Sequence, residues 1–139
     1  METSESVQKR PMVSFGEAVK TCLKKYFCFK GRARRSEFFW FWLFSILVLI
    51  IASILDSLFF NIRDAPLTYF ALIALPIPLL SVTIRRLHDI DISGWGALWW
   101  FFPIWGGILV FTWFCKDSDI EKNEYGESPK YIMKLDDNS

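Results

Sequence analysis

The sequence predicts an all-α membrane protein, three transmembrane helices preceded by an interfacial amphipathic helix, and three observations predict it. Uncharged apolar stretches run over residues 38–55, 65–84 and 92–115. A helix rises ~1.5 Å per residue, so roughly 20 apolar residues cross the ~30 Å hydrocarbon core, and each stretch has about that length. The 139 residues are 53% hydrophobic and 18% aromatic, too apolar and too Trp-rich for an ordinary soluble domain. Charge is segregated: residues 1–37 hold nine Lys/Arg against four acids, whereas residues 116–139 hold four Lys against seven acids.

The chain then divides into a disordered N-terminal tail over 1–14, a membrane domain over 15–115 and a polar acidic tail over 116–139. The tails carry too little apolar surface to offset the cost of ordering. No cleavable signal peptide is expected, because the first apolar stretch begins at Phe38 and no small-residue cleavage site follows it.

Within the membrane domain, the first element is an amphipathic helix over 15–30. Phe15, Ala18, Val19, Cys22, Leu23, Tyr26 and Phe29 share one face, with Glu17, Lys20 and Lys24 opposite, and Gly31 is a fitting stop. Apolar on one side and lysine-rich on the other, it suits the inner headgroup layer, with docking on a soluble partner as the alternative. Ser36 is placed to cap the next helix, and Glu37 suits its first turn.

The spans are expected at about 38–60, 65–84 and 93–115. Short flanks rich in Lys and Arg stay on the cytoplasmic side. The segment before the first span carries Lys20, Lys24, Lys25, Lys30, Arg32, Arg34 and Arg35, and the second connection, residues 85–91, carries Arg85 and Arg86. Three crossings then put the N-terminus in the cytoplasm and the C-terminus outside.

Aromatic residues mark the expected boundaries, with Trp40, Trp42, Trp95, Trp99 and Trp100 inside, and Phe59, Phe60, Tyr69 and Trp113 outside. Trp105, near mid-span, is expected to pack between helices. Asp56, at the outer end of the first span, reads as an interfacial carboxylate, or alternatively as one step of a cation relay. Pro76 and Pro78 predict a kink in the second span, because each lacks an amide donor and clashes with the preceding turn. In lipid the freed carbonyls need partners, and hydroxyls on the other helices could supply them. Pro103 with Gly106 and Gly107 makes the third span the natural close neighbour. Cys22, Cys28 and Cys115 fit neither a disulfide framework nor a metal spacing.

Two polar clusters carry the candidate site: Arg32, Arg35 and Glu37 before the first span, and Arg85, Arg86, His88 and Asp89 in the second connection. Glu37 paired with Arg85 or Arg86, and Asp89 or Asp91 with the first cluster, would form a structural clasp. Arginine forks also match phosphate, so an anionic-headgroup or partner site is a second reading. His88 beside Asp89 has the look of an oriented base, though no second metal ligand or nucleophile lies nearby in sequence.

Residues Phe29, Gly31, Arg32, Arg35, Glu37 and Phe38, and then Arg85, Arg86, Leu87, His88, Asp89, Ser93, Gly94 and Trp95, resemble two patterns of domain-of-unknown-function family 805. Asn123, Tyr125, Gly126 and Pro129 resemble its closing pattern. The resemblance covers roughly residues 15–130 and implies a multi-pass protein of a prokaryotic inner membrane with no assigned activity. Expected partners are membrane lipids, with anionic headgroups foremost, and a membrane-protein partner or a second copy. No nucleic acid, metal or cofactor is expected. A binding or scaffold role leads, an oligomeric channel or transporter component follows, and a lipid-headgroup enzyme is third.

Overall fold

A computed structural model describes residues 6–61, 63–102 and 104–134. Pro103, the Trp100 side chain and the extreme ends of both tails lie outside the described residues. The chain divides into two compact units, each described by itself. One comprises Val13–Phe29 and Ser36–Thr83; the other comprises the N-terminal residues to Met12, Lys30–Arg35 and everything from Ile84 onward.

In the first unit, helix α1 spans Phe15–Lys24. A capping box opens it: the Glu17 amide donates to Ser14 Oγ at 3.3 Å, and the Ser14 amide donates to Glu17 Oε2 at 3.1 Å. The helix ends six residues before the expected limit of 30, and Gly31 lies beyond it with φ +90°. Ala18 and Cys22 are fully buried, and Phe15 meets Trp40 edge-on at 5.6 Å. The apolar face of α1 is therefore partly covered by the next helix.

Helix α2, Arg35–Phe59, begins before Ser36, so Ser36 lies inside it and not at its cap. The Ser36 hydroxyl is buried and makes no hydrogen bond among the described residues. Phe38, Phe41, Ser45, Ala52 and Asp56 form one buried stripe at helical spacing, whereas Leu47, Ile50, Ile51, Ile54 and Leu58 are exposed. Ser45 and Asp56 lie on the buried stripe, and the exposed face is mainly aliphatic, as a water-soluble helix would not be.

Asp56 closes the hairpin to α3, Pro66–Ala74. Its carboxylate accepts from the amides of Leu67 at 3.1 Å and Thr68 at 2.7 Å. These are orphan donors at a helix N-terminus, where negative charge is favoured. The interfacial carboxylate anticipated from sequence is a helix cap.

The prolines break the next helix as expected: α3 ends at Ala74 and α4 runs Pro76–Asp89. Pro78 cannot donate to the Ala74 carbonyl four residues back. Tyr26 Oη donates to that carbonyl instead. The replacement hydroxyl comes from the segment after α1. Ser81 Oγ similarly donates to the carbonyls of Lys25 at 2.9 Å and Cys28 at 2.6 Å.

Two helical stretches, Arg35–Phe59 and Pro66–Asp89, are long and apolar enough to cross a membrane. The third expected span is not one helix. It divides into a 3₁₀ helix, Gly94–Phe101, and α5, Trp105–Cys115. Within the second unit these two arms pack on each other. A Cβ added at Gly106 would collide with the Trp99 carbonyl, and one at Gly96 would approach Trp113 Cζ3 to 3.3 Å. Gly106 therefore lets two arms of one stretch meet, while Gly107 faces open space. Trp105 is 81% exposed, which corrects its expected place between helices.

Each tail contributes a short strand within its described residues. Strand β1, Ser6–Lys9, pairs antiparallel with β2, Tyr131–Lys134, in the register Ser6↔Lys134 to Lys9↔Tyr131. The Arg10 amide extends the ladder to the Lys130 carbonyl at 2.7 Å. Because the partners stand more than 120 positions apart in sequence, no local pattern announces this pairing.

Candidate functional site

An arginine knot in the second unit gathers four segments of chain. Its centre is Arg32, whose guanidinium has five N–H donors in a rigid fork. Nε donates to Asp89 Oδ1 at 3.0 Å. Nη1 donates to the carbonyls of Glu121 at 2.9 Å and Gly126 at 3.2 Å, and Nη2 to those of Asp89 at 3.0 Å and Asp119 at 2.7 Å. All five donors are engaged by the chain's own oxygens.

Asp89 is fully buried and shared. Oδ1 takes Arg32, while Oδ2 accepts from Arg86 Nη1 at 2.5 Å and from Ser118 Oγ at 2.5 Å. One carboxylate between two guanidiniums leaves a local excess of positive charge. Backbone carbonyls complete the solvation of the Arg32 fork, as a buried ion pair requires, whereas the buried Nε of Arg86 has no hydrogen-bond partner among the described residues. Arg86 Nη2 donates to Phe114 O at 3.3 Å and to Lys116 O, and Arg35 Nη1 donates to Cys115 O at 3.2 Å. The last carbonyls of α5 have no partners within the helix, so these cations cap its negative end.

His88 and Asp89 are neighbours in sequence with separate partners. His88 Nδ1 lies 3.2 Å from the Gly31 carbonyl, so the donating tautomer carries its proton there. Its ring stacks flat on Tyr125, with centroids 3.9 Å apart and planes 2° from parallel. Asn123 fixes that stack: its Nδ2 donates to His88 O at 2.8 Å, and its Oδ1 accepts from the Tyr125 amide at 3.0 Å. Gly126, at φ +127°, closes the turn by exchanging backbone hydrogen bonds with Asn123. The oriented His–Asp base suggested by the sequence is not formed.

A second lock holds the tail at the rim. Lys130 is ion-paired with Asp117, Tyr131 Oη donates to Asp117 Oδ2 at 3.1 Å, and the Ser118 amide donates to Oδ1 at 2.9 Å. Burial opposes ionisation of Asp117, but the hydrogen bonds and the Lys130 charge outweigh it and bring the carboxyl down to about 2. Burial likewise disfavours the Lys130 charge, and Asp117 more than compensates, raising it above the usual lysine range. Arg34 Nη1 donates to Pro11 O at 2.5 Å, tying in the N-terminal segment.

The structure thus brings together Arg32, Arg35, Arg86, His88 and Asp89 from the sequence-derived set. Arg85 is fully buried, and its carbonyl accepts from the Ala33 amide at 2.9 Å. Glu37 belongs to the other unit, where Cys22 Sγ lies 3.7 Å from its Oε1. The expected clasp between Asp89 and the first cluster is realised through Arg32. The segment 85–91, read as a connection, is helical through Asp89. Sequence reasoning missed Asp117, Ser118, Asn123, Tyr125 and Lys130 as members of the site. The family-like pattern at Asn123, Tyr125 and Gly126 was their one signal.

Residues 116–130 supply backbone carbonyls to Arg32 and Arg86, and β2 pairs with β1.

Comparison with known proteins bears on the same residues. A family model described as "Protein of unknown function (DUF805)" matches residues 26–127, which include the knot from Arg32 to Gly126. Inner membrane protein YhaI of Escherichia coli strain K12 is 37% identical over 111 residues, covering 78% of this chain and 92% of the relative. Inner membrane protein YhaH of the same strain is 34% identical over the same shares. No solved structure matches the chain.

Proposed function

The chain belongs to the DUF805 family of proteins of unknown function, and from that premise we propose that it is a multi-pass inner-membrane protein that works as a binding or scaffold platform. Two helices of membrane-spanning length and relatives named for the inner membrane support the location. The excess of Lys and Arg before α2 supports a cytoplasmic position for the knot. With two crossings, both ends lie on that same face.

The observation that carries the platform reading is Arg32, buried with every donor satisfied by Asp89 and by carbonyls from the tail. Such a knot is preorganised, so a partner meeting it has little ordering left to impose. Because Arg32 is fully occupied internally, it is a poor candidate for an incoming phosphate. The accessible surface beside them is an open hollow of about 810 Å³ lined by Asp91 and residues 116–124. Its carboxylates, Asp91, Asp117, Asp119, Glu121 and Glu124, outnumber Lys116 and Lys122, which favours a basic protein segment as the partner.

Photo-crosslinkers placed at the exposed positions Lys122 and Glu124 in native membranes test this. The reading expects a discrete protein adduct that is lost with Arg32→Gln and retained with Lys20→Gln. Adducts to lipid alone, or none from either position, would overturn it.

A further inference from the structure

We propose that residues 92–115 form a re-entrant hairpin, which enters one leaflet, turns at its tip and returns to the face it left, with lipid acyl chains covering its apolar surface. This rests on the membrane location above and not on the platform role.

The two ends of the stretch meet. The Ile92 amide donates to the Leu87 carbonyl at 2.9 Å, and the Asp119 amide to the Asp89 carbonyl at 3.3 Å. Arg86 reaches the carbonyls of Phe114 and Lys116 at the far end of α5. Entry and exit are thus stapled to one turn of α4.

The arms have the right length for one leaflet. The eight residues of the 3₁₀ helix, at ~2.0 Å each, and the 11 of α5, at ~1.5 Å each, both give ~16 Å, close to half of the ~30 Å core. Neither arm alone could cross.

The surface fits hydrocarbon and not water. No charged residue occurs between Ile92 and Cys115. Phe101, Phe102, Ile104, Trp105, Ile108 and Phe111 are all exposed, Phe101 by 82%, and they crowd the tip and the arm that follows it. Water would disfavour so many exposed large apolar side chains in one short stretch of a monomer. Irregular backbone is costly in lipid unless its polar groups are satisfied. The Phe102 amide donates to the Trp99 carbonyl at 3.1 Å, and residue 103 is a proline with no amide to satisfy.

The test uses full-length protein with Cys22, Cys28 and Cys115 changed to Ser, reconstituted in phosphatidylethanolamine/phosphatidylglycerol vesicles. Single cysteines are introduced by Ile104→Cys, Arg10→Cys and Asp119→Cys. A membrane-impermeant maleimide should modify the cysteines at 10 and 119 from one and the same side and fail at 104 from either. A spin label at 104 should be relaxed by oxygen and shielded from a water-soluble nickel complex, at a depth of about 15 Å. Maleimide reaction at 104 from the side opposite to 119 would mean a full crossing and overturn the proposal. Reaction at 104 from the same side as 119 would place the hairpin in water and overturn it too. Shielding of 104 from oxygen as well as nickel would mean a protein cover in place of acyl chains, which also overturns it. Should Ile104→Cys fail to fold, Trp105→Cys reads the same depth. None of these outcomes depends on whether a partner docks, so this proposal and the platform reading fail separately.

Discussion

The backbone amide of Asp119 donates to the carbonyl of Asp89 at 3.3 Å, joining the last residue of α4 to one just past α5. Everything between them is a closed excursion of the chain. The arginine knot holds that closure, and the consequences can be measured.

Removing the central partner should be costly. Asp89→Asn leaves the buried Arg32 and Arg86 guanidiniums without their counter-charge, and breaking such pairs typically costs about 3–5 kcal/mol. Thermal unfolding in mild detergent should show a large loss of stability, with faster proteolysis within 116–130. Arg32→Lys should rescue poorly, because a lysine cannot reproduce a fork that serves a carboxylate and four carbonyls.

The tail lock should be acid-sensitive. Asp117 has its carboxyl lowered to about 2 against roughly 3.9 for a free aspartate, so its contribution is complete above about pH 4 and is lost as pH falls toward 2. Lys130, raised by the same pair, contributes below the ordinary lysine range and loses its share above it. The Asp117 side chain is 45% exposed, so the effect should stay within about 1 kcal/mol. Amide exchange at Arg10 and Lys9 against pH reads it, and Asp117→Asn should flatten the acid limb.

Much of this was legible in the sequence, and the remainder was hidden for identifiable reasons. The apolar runs of α2 and of α3 with α4 were readable because lipid demands length, and the break at Pro76 and Pro78 because proline lacks a donor. The pairing of the Arg32 cluster with Asp89 followed from opposite charges near helix ends. The division of the third run into a 3₁₀ helix and α5 was not legible, because an apolar stretch of spanning length looks the same whether it is one helix or two. The difference lies in the collision a side chain at Gly106 would have with the Trp99 carbonyl. Strand β1 was invisible because Ser6–Lys9 has no periodicity of its own and pairs only with a distant segment.

Tyr26 and Pro78 should be energetically coupled. Tyr26→Phe leaves the part-buried Ala74 carbonyl without its donor, at about 1 kcal/mol. Pro78→Ala restores a backbone amide to that carbonyl. In the Pro78→Ala background the cost of Tyr26→Phe should therefore shrink, and additive effects in a double-mutant cycle would refute the replacement-donor account.

Adjacent glycines should respond unequally. Gly106→Ala should disrupt the hairpin through the Trp99 carbonyl, whereas Gly107→Ala, facing open space, should be tolerated. Tryptophan emission and melting temperature of the two variants distinguish them.

The most direct measurement is the sidedness of the two termini in intact cells. A green fluorescent protein fused after Ser139 should glow and alkaline phosphatase at the same point should stay inactive, with the same result for fusions before Met1. Active phosphatase at the C-terminus beside a fluorescent N-terminal fusion would contradict the account, because it would mean that residues 92–115 cross.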